Sequence, residues 1–405
     1  LFFYTIPYLR LILIMVEQML TSLTFAKEEI AIIALLFVFF LVQIYFLIFY
    51  YRKPYFYAKK REKNPFLPSA QKLKVSVIIA SENEADNLSE HLPLILSQDY
   101  PDFEIIVVNN GSTDETDVLL QSLKQSYSNL YHTYLPYSND KAFGRRKLAL
   151  TIGVKAAKGD VLLFIEPYAK PVSNHWISSL MNEMSDDKDI VLGCSFISKT
   201  DKFFNRVARF DNHLFSMQYL SMAIKGKPFT GTYRNIAFRK HLFFENKGFA
   251  SYLNLENGED IFINQISTAN NTAVALSPDS FVEARIERFS LWRKLKKFYS
   301  IAKSFFPSSA PNLFCFEAAS RYFFYLILIL ACVYSIWTQH WVLLGIAILF
   351  FLIRLGTQLI VINKSTKYFC FGKFYFSLII MDILQPIYNL RFKTRHRSRY
   401  RHKRK

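Results

Sequence analysis

The chain has 405 residues, of which 51% are hydrophobic and 17% aromatic, and its formal net charge is +18. So much apolar side chain is unusual for a soluble domain and points to membrane segments beside one large domain or two. The last fifteen residues, RFKTRHRSRYRHKRK, hold nine Lys or Arg and no acid, which fits a membrane-facing cytoplasmic tail; a nucleic-acid arm would also need an aromatic-basic platform in the folded middle, and none is present.

Residues 1–29 are assigned no role. The chain begins at Leu1, and Met15 or Met19 offers an alternative start. Residues 30–51, IAIIALLFVFFLVQIYFLIFYY, are apolar apart from Gln43. At about 1.5 Å per residue they cross a core of about 30 Å as a helix. No small-residue cleavage site is present, so the segment reads as an anchor. Arg52, Lys53, Lys59, Lys60, Arg61 and Lys63 stand in the basic linker over 52–72 and place the middle of the chain on the cytoplasmic side.

From 73 to 285 short apolar runs alternate with helical stretches. LKVSVIIA (73–80) and FEIIVVNN (103–110) predict buried strands. Each leads into a polar helix start, SENEADNLSEHL and GSTDETDVLLQSL, the latter capped by Asp114 or Thr113. A helix over 142–157 comes next, then strands at DVLLFI and DIVLGCSF. This alternation predicts an α/β domain with a mostly parallel sheet, whose ligands bind beyond the carboxyl ends of the strands. The ends SENE, NNGSTD and EPY meet there. No G-x-G-x-x-G comes after the first strand and no P-loop occurs, which argues against dinucleotide dehydrogenases and P-loop enzymes. Cys194, Cys315, Cys332 and Cys370 are too far apart for a zinc site or a disulfide framework and fit a reducing compartment.

Beyond the domain, 286–320 contains RFSLWRKLKKFYSIAKSFF. Here Trp292, Leu295, Phe298 and Tyr299 fall at helical spacing among Arg293, Lys294, Lys296 and Lys297, as in an interfacial helix. Residues 321–362 predict a transmembrane hairpin of 322–337 and 341–362 joined by TQH, with Arg321 before it and Lys364, Lys367 and Lys373 after it on the inner side. Arg354 interrupts the second span, either snorkelling to the interface or marking a functional contact. Residues 374–390, weakened as a span by Asp382, Gln385 and Pro386, predict an interfacial or re-entrant helix before the basic tail over 391–405.

Five motifs in order carry a resemblance: VSVIIASENEADNL, FEIIVVNNGSTDET, GRRKLALTIGVKAAKGD, GTYRNIAFRKHLFFENKGF and NGEDIF. The chain resembles a family-2 inverting glycosyltransferase with a GT-A fold, of the membrane-anchored bacterial type, over residues 74–270 and into the C-terminal segments. The resemblance implies a multi-pass protein of the bacterial inner membrane. Its cytoplasmic domain would pass a sugar from a UDP- or GDP-sugar to a lipid-linked or glycan acceptor of the cell envelope.

By that resemblance Glu84 and Asn110 hold the nucleoside, unless each serves as a helix cap, and Lys147 contacts the phosphates while Arg145 and Arg146 are solvated. Glu166 stands in the position of a D-x-D motif that binds Mg2+ or Mn2+. Tyr168 occupies the second position and, with a phenol pKa near 10, is a poor ligand. Asp260 is the general base and Glu259 its neighbour, although acids at a helix start also complement its dipole. Arg234 and Asn235 lie on the acceptor side or tie down their loop, and Tyr233 replaces a common Gly. Arg293 or Lys297 contacts the diphosphate or lipid headgroups. The absence of Q-x-x-R-W argues for addition of single sugars over long-chain synthesis. The Glu-Pro-Tyr loop leaves open a catalytically weakened homologue that binds nucleotide or glycan within an assembly complex.

Overall fold

A computed structural model of the chain describes residues 24–63, 73–137, 144–253, 255, 258–306 and 309–393. The start of the chain, most of the basic tail, and Glu256 and Asn257 of the NGEDIF region lie outside the described residues. The chain divides into two compact units. One contains the chain up to Phe49 with Asn312–Val361; the other contains Tyr50–Pro311 and the chain from Ile362.

The larger unit is built on a seven-stranded sheet. Its strands are β1 (Val75–Ser81), β2 (Phe103–Asn109), β3 (Leu130–Tyr134), β4 (Val161–Phe164), β6 (Ile190–Gly193), β8 (Ile236–Arg239) and β9 (Thr272–Ala275), in the order β3-β2-β1-β4-β8-β6-β9. β1 pairs in parallel with β2 and β4, so Val75 faces both Phe103 and Val161. β8 runs antiparallel to β4 and β6. Every residue of VSVIIAS in β1 is buried, as a strand covered on both faces requires. The cover on one face is the helix Arg145–Ala156, which approaches so closely that a Cβ on Gly153 would lie 2.7 Å from Ile78 Cγ2.

The expected strand DIVLGCSF is two strands. β6 ends at Gly193, and β7 (Ser195–Ile197) joins β10 (Val282–Ala284) and β5 (Ala169–Pro171) in a small second sheet, order β5-β10-β7. The break falls where the Asn235 amide donates to the Cys194 carbonyl at 2.8 Å, and a Cβ on Gly193 would lie 2.3 Å from Asn235 Nδ2. Glycine is required there by space alone.

Among the described residues three helices are long and apolar enough to cross a membrane: Lys27–Lys63, Ser309–Trp337 and Trp341–Tyr368. The second begins well before the expected residue 322, so the amphipathic segment over 286–320 is a helix at Phe289–Ala302 and then the first turns of an apolar one. Ser377–Lys393 is helical but is not among the candidate spans. It packs on the globular unit, where Gln385 Nε2 donates to Asp211 Oδ1 at 2.9 Å and Tyr388 meets the Trp292 ring at 5.5 Å.

Within the smaller unit Arg354 does not snorkel. It is 1% exposed, and its guanidinium donates to Gln43 Oε1 at 3.1 Å and to the Tyr325 hydroxyl at 3.0 Å, beneath the rings of Phe324 and Tyr325. The two interruptions of the apolar pattern, Gln43 and Arg354, therefore satisfy each other. In an apolar bundle this is how a polar group is tolerated.

Candidate active site

The site forms where β1, β2 and β4 end. Two loops lock together first. Asn83, held at φ +55°, accepts from the Thr113 N–H at 2.8 Å, and its own N–H donates to Ser112 Oγ at 2.9 Å. Asp114 accepts from the N–H groups of Ala85 and Thr116, at 3.0 and 3.1 Å, and so serves the starts of both succeeding helices. Of the two expected caps, Asp114 is the one engaged. Glu84 precedes the helix Ala85–Leu96 without capping it; its carboxylate instead accepts from Asn87 Nδ2 at 2.5 Å. Burial raises the Glu84 pKa against the opposing Asn87 hydrogen bond, and Glu166 adds to the rise. Asn110 is buried, donates to Glu82 Oε2 at 3.2 Å, and leaves its Oδ1 without a partner among the described residues. An orphaned buried acceptor is costly, and it suits a ligand N–H.

The second part of the site is a charge cluster. Gly144, at φ +98°, turns the chain into the helix Arg145–Ala156; a Cβ there would come within 2.6 Å of the Leu253 carbonyl oxygen. The first turn of that helix then presents Arg146. Its Nη2 donates to Glu166 Oε1, and its Nε lies 3.1 Å from Glu259 Oε1. Burial works against the Arg146 charge, but the two glutamates outweigh it. Burial pushes the Glu166 carboxyl upward, with Arg146 opposing.

Lys147, the expected phosphate contact, is fully buried, and its ammonium donates to the Leu255 carbonyl. Its neighbours Arg145 and Arg146 are not simply solvated: Arg145 Nη2 donates to the Pro136 carbonyl at 2.8 Å, and Arg146 joins the two glutamates. The cation at the Glu166 loop is thus Arg146, one residue earlier than expected.

The helix Glu259–Ile266 brings in the acids. Glu259 is buried, with Oε2 accepting from the Gly258 N–H at 2.9 Å. Asp260 is partly accessible, and its pKa is pushed up to about 7 by burial and then by the Glu259 charge, with Arg234 opposing. Arg234 donates from Nε to Ser195 Oγ at 3.1 Å and from Nη2 to Asn212 Oδ1 at 2.9 Å, and its charge also reaches Glu166 and Tyr168.

Asn235 is not available to an acceptor. Its amide nitrogen donates to the carbonyls of Cys194 and Ser280, at 2.8 and 2.7 Å, and its oxygen accepts from Trp176 Nε1 at 3.1 Å. It ties its loop to three distant segments, the other role open to it from the sequence. Tyr233 is buried against Phe164, with ring centroids 5.1 Å apart, and its hydroxyl has no partner among the described residues. Lys296, beside the expected Arg293 and Lys297, is paired with Asp211 at 2.8 Å.

A divalent cation does not fit the Glu166 loop as it stands. Among the described residues no group of three or more His, Cys, Asp or Glu could hold a metal. The Glu166 carboxylate is engaged by Arg146, and the Tyr168 phenol is pushed above its usual pKa by burial and by Glu166, so it stays protonated. A neutral phenol and one arginine-paired carboxylate are a poor oxygen set for Mg2+ or Mn2+.

Residues 76–245 match the pattern of the family described as Glycosyl transferase family 2. An uncharacterized glycosyltransferase of Rickettsia prowazekii is 32% identical over 125 residues, 30% of this chain and 36% of that protein. Glycosyltransferase AglE of Haloferax volcanii is 29% identical over 113 residues, 27% of this chain and 35% of that one. The matches thus span about a third of these relatives' length. Among solved structures, the mannosyltransferase PcManGT from Pyrobaculum calidifontis, in complex with GDP-Man and Mn2+, has a TM-score of 0.55 at 17% identity, covering 89% of this chain and 98% of that one. With its sheet order and its motifs at the strand ends, the chain has the GT-A fold, and its residues 76–245 carry the family-2 glycosyltransferase pattern.

Proposed function

We propose that the protein transfers a sugar, with inversion, from a nucleotide-diphospho-sugar to a lipid-linked or other glycan acceptor at the cytoplasmic face of a bacterial inner membrane. The observation that carries this reading is Asp260. It is a partly accessible carboxyl at a helix start in the charge cluster beside the Glu166 loop, with a pKa pushed up to about 7. A general base is most effective when its pKa lies near the working pH.

In this reading the base and ribose bind beside Glu84 and Asn110, whose buried Oδ1 has no partner among the described residues. The solved relative that contains GDP-Man supports a nucleotide-sugar donor. The acceptor hydroxyl attacks the anomeric carbon from the face opposite the leaving group. The new carbon–oxygen bond forms as the bond to the diphosphate oxygen breaks, the proton passes to Asp260, and the electron pair leaves with the nucleoside diphosphate. Apolar helices that tether the domain confine enzyme and acceptor to one surface, which raises their encounter rate. The basic residues after Tyr51 support a cytoplasmic placement.

The test is transfer from a panel of UDP- and GDP-sugars in membranes carrying the wild-type protein or Asp260→Asn. Turnover of one donor by the wild type, lost in the variant with nucleotide binding kept, is expected. Nucleotide binding without turnover of any donor would favour the weakened homologue. Turnover unaffected by Asp260→Asn would remove the base assignment. Labelling that places residues 73–285 outside the cell would overturn the topology.

A further inference from the structure

We infer that Arg146, with Arg234 beside it, holds the donor diphosphate in the place where a divalent cation would sit, so that this chain binds its donor without metal. The inference rests on the reading of the protein as a nucleotide-sugar enzyme and adds to it the means of charge neutralisation.

The first observation is geometric. Arg146 donates from Nη2 to Glu166, and its Nε lies in ion-pair contact with Glu259 at 3.1 Å, so carboxylates hold the guanidinium along two of its edges. Its side chain is still 31% exposed, and its Nη1 edge has no partner among the described residues. A fixed guanidinium with a free N–H edge is suited to a phosphate oxygen. The second is a count of charge. A divalent ion brings two positive charges to the diphosphate, and Arg146 and Arg234 bring two by themselves. Glu166 and Glu259, both in contact with Arg146, match the two carboxylates that would hold a metal, while Arg234 is held by the neutral oxygens of Ser195 and Asn212. The third is exclusion. An ion bound to Glu166 would share that carboxylate with a guanidinium already in contact with it, and like charges so close repel strongly where water is scarce. The opposite position of the loop offers only the phenol of Tyr168, which burial keeps protonated.

The two glutamates are positioning residues in this scheme. They hold Arg146 where the leaving diphosphate accumulates charge, and a preoriented donor needs no rearrangement as that charge appears. In-line departure of the nucleoside diphosphate then places its electron pair against the arginines.

The test uses the full-length protein in detergent and compares binding of UDP and GDP with binding of uridine and guanosine, by calorimetry, with EDTA and with added Mn2+. The expected result is a diphosphate affinity in EDTA within about threefold of that in Mn2+, because the N–H donors are part of the protein. Arg146→Gln is expected to weaken diphosphate binding by about 10- to 100-fold, the worth of a charge-assisted pair, with nucleoside binding kept. Arg146→Lys, which retains charge without the fork, is expected to fall between. Retained nucleoside binding also reports that the variant is folded; should Arg146→Gln fail to fold, the wild-type comparison of EDTA with Mn2+ decides alone. Diphosphate binding that EDTA abolishes and Mn2+ restores would overturn the inference and leave the donor reading intact. Wild-type diphosphate affinity in Arg146→Gln would also overturn it. Failure of the wild type to bind any nucleotide in either buffer would overturn the donor reading and this inference with it.

Discussion

Two arginines, one buried and one partly exposed, separate the two regions of the molecule. Arg354, among the apolar helices, is met by neutral oxygens of Gln43, Tyr325 and Gln358 and by aromatic rings. Arg146, at the sheet edge, is met by two carboxylates and keeps one edge open. Neutral acceptors enclosing a cation use it for packing. Carboxylates on one side and access on the other leave a cation able to take a further anion. On the inference drawn above, the same residue type serves assembly in one unit and ligand capture in the other, and substitutions in each unit should separate those uses.

The largest effect is expected at Asp260. Asp260→Asn keeps size and hydrogen-bonding capacity but removes the base, and turnover should drop by about 10²- to 10⁴-fold with nucleotide affinity unchanged. The wild-type rate should rise with pH through about 7 as Asp260 ionises. Stability should run the other way. The folded-state pKa lies above the unfolded value near 3.9, so between these limits the folded protein holds a proton that the unfolded chain has lost, and stability falls as pH rises. Asp260→Asn should therefore raise the melting temperature at pH 8 while abolishing turnover. A variant that loses activity and stability together at that pH would point to a packing role instead.

Arg354→Met is the counter-experiment in the other unit. It leaves Gln43 and Tyr325 without their shared donor, and interhelical hydrogen bonds in membranes are worth about 0.6 to 2 kcal/mol each. The expected outcome is easier denaturation in detergent, with transfer per folded molecule within about twofold of wild type, since no group near the reaction is changed. A selective loss of donor binding in Arg354→Met would break the contrast between the two arginines.

Much of this division is legible in the chain. Continuous β-branched runs such as VSVII mark the buried strands, and turn chemistry at SENE and NNGSTD marks the strand ends on which the site stands. The motif points to Lys147, which the structure buries, and a signal of that burial exists in the chain: Lys147 shares a helical stripe with the buried Leu150 and Val154, three and seven residues on. The role of Asn235 depends on Trp176, Cys194 and Ser280, far apart in sequence, and no local pattern encodes that meeting. The pairing of Gln43 with Arg354, across 311 positions, is hidden for the same reason. Periodicity reports which face of an element is buried, and it is silent on the partner that a polar group finds there.

The smallest effect is expected at Tyr168, and it sharpens the comparison most directly. Tyr168→Phe removes one phenol oxygen and leaves the ring, which is 6% exposed, in its packing. If Arg146 supplies the positive charge, that oxygen has no metal to bind, and transfer should stay within about threefold in EDTA and in Mn2+ alike, as for a volume-conserving change. Tyr168→Ala should instead destabilise the domain by about 3 to 5 kcal/mol, because the lost ring leaves a cavity beside the charge cluster. A phenol that ligated a cation would reverse the order of the tests: Tyr168→Phe would lose turnover steeply, and added Mn2+ would recover part of it. Steady-state rates of the two variants in the two buffers distinguish a ring that packs from an oxygen that binds.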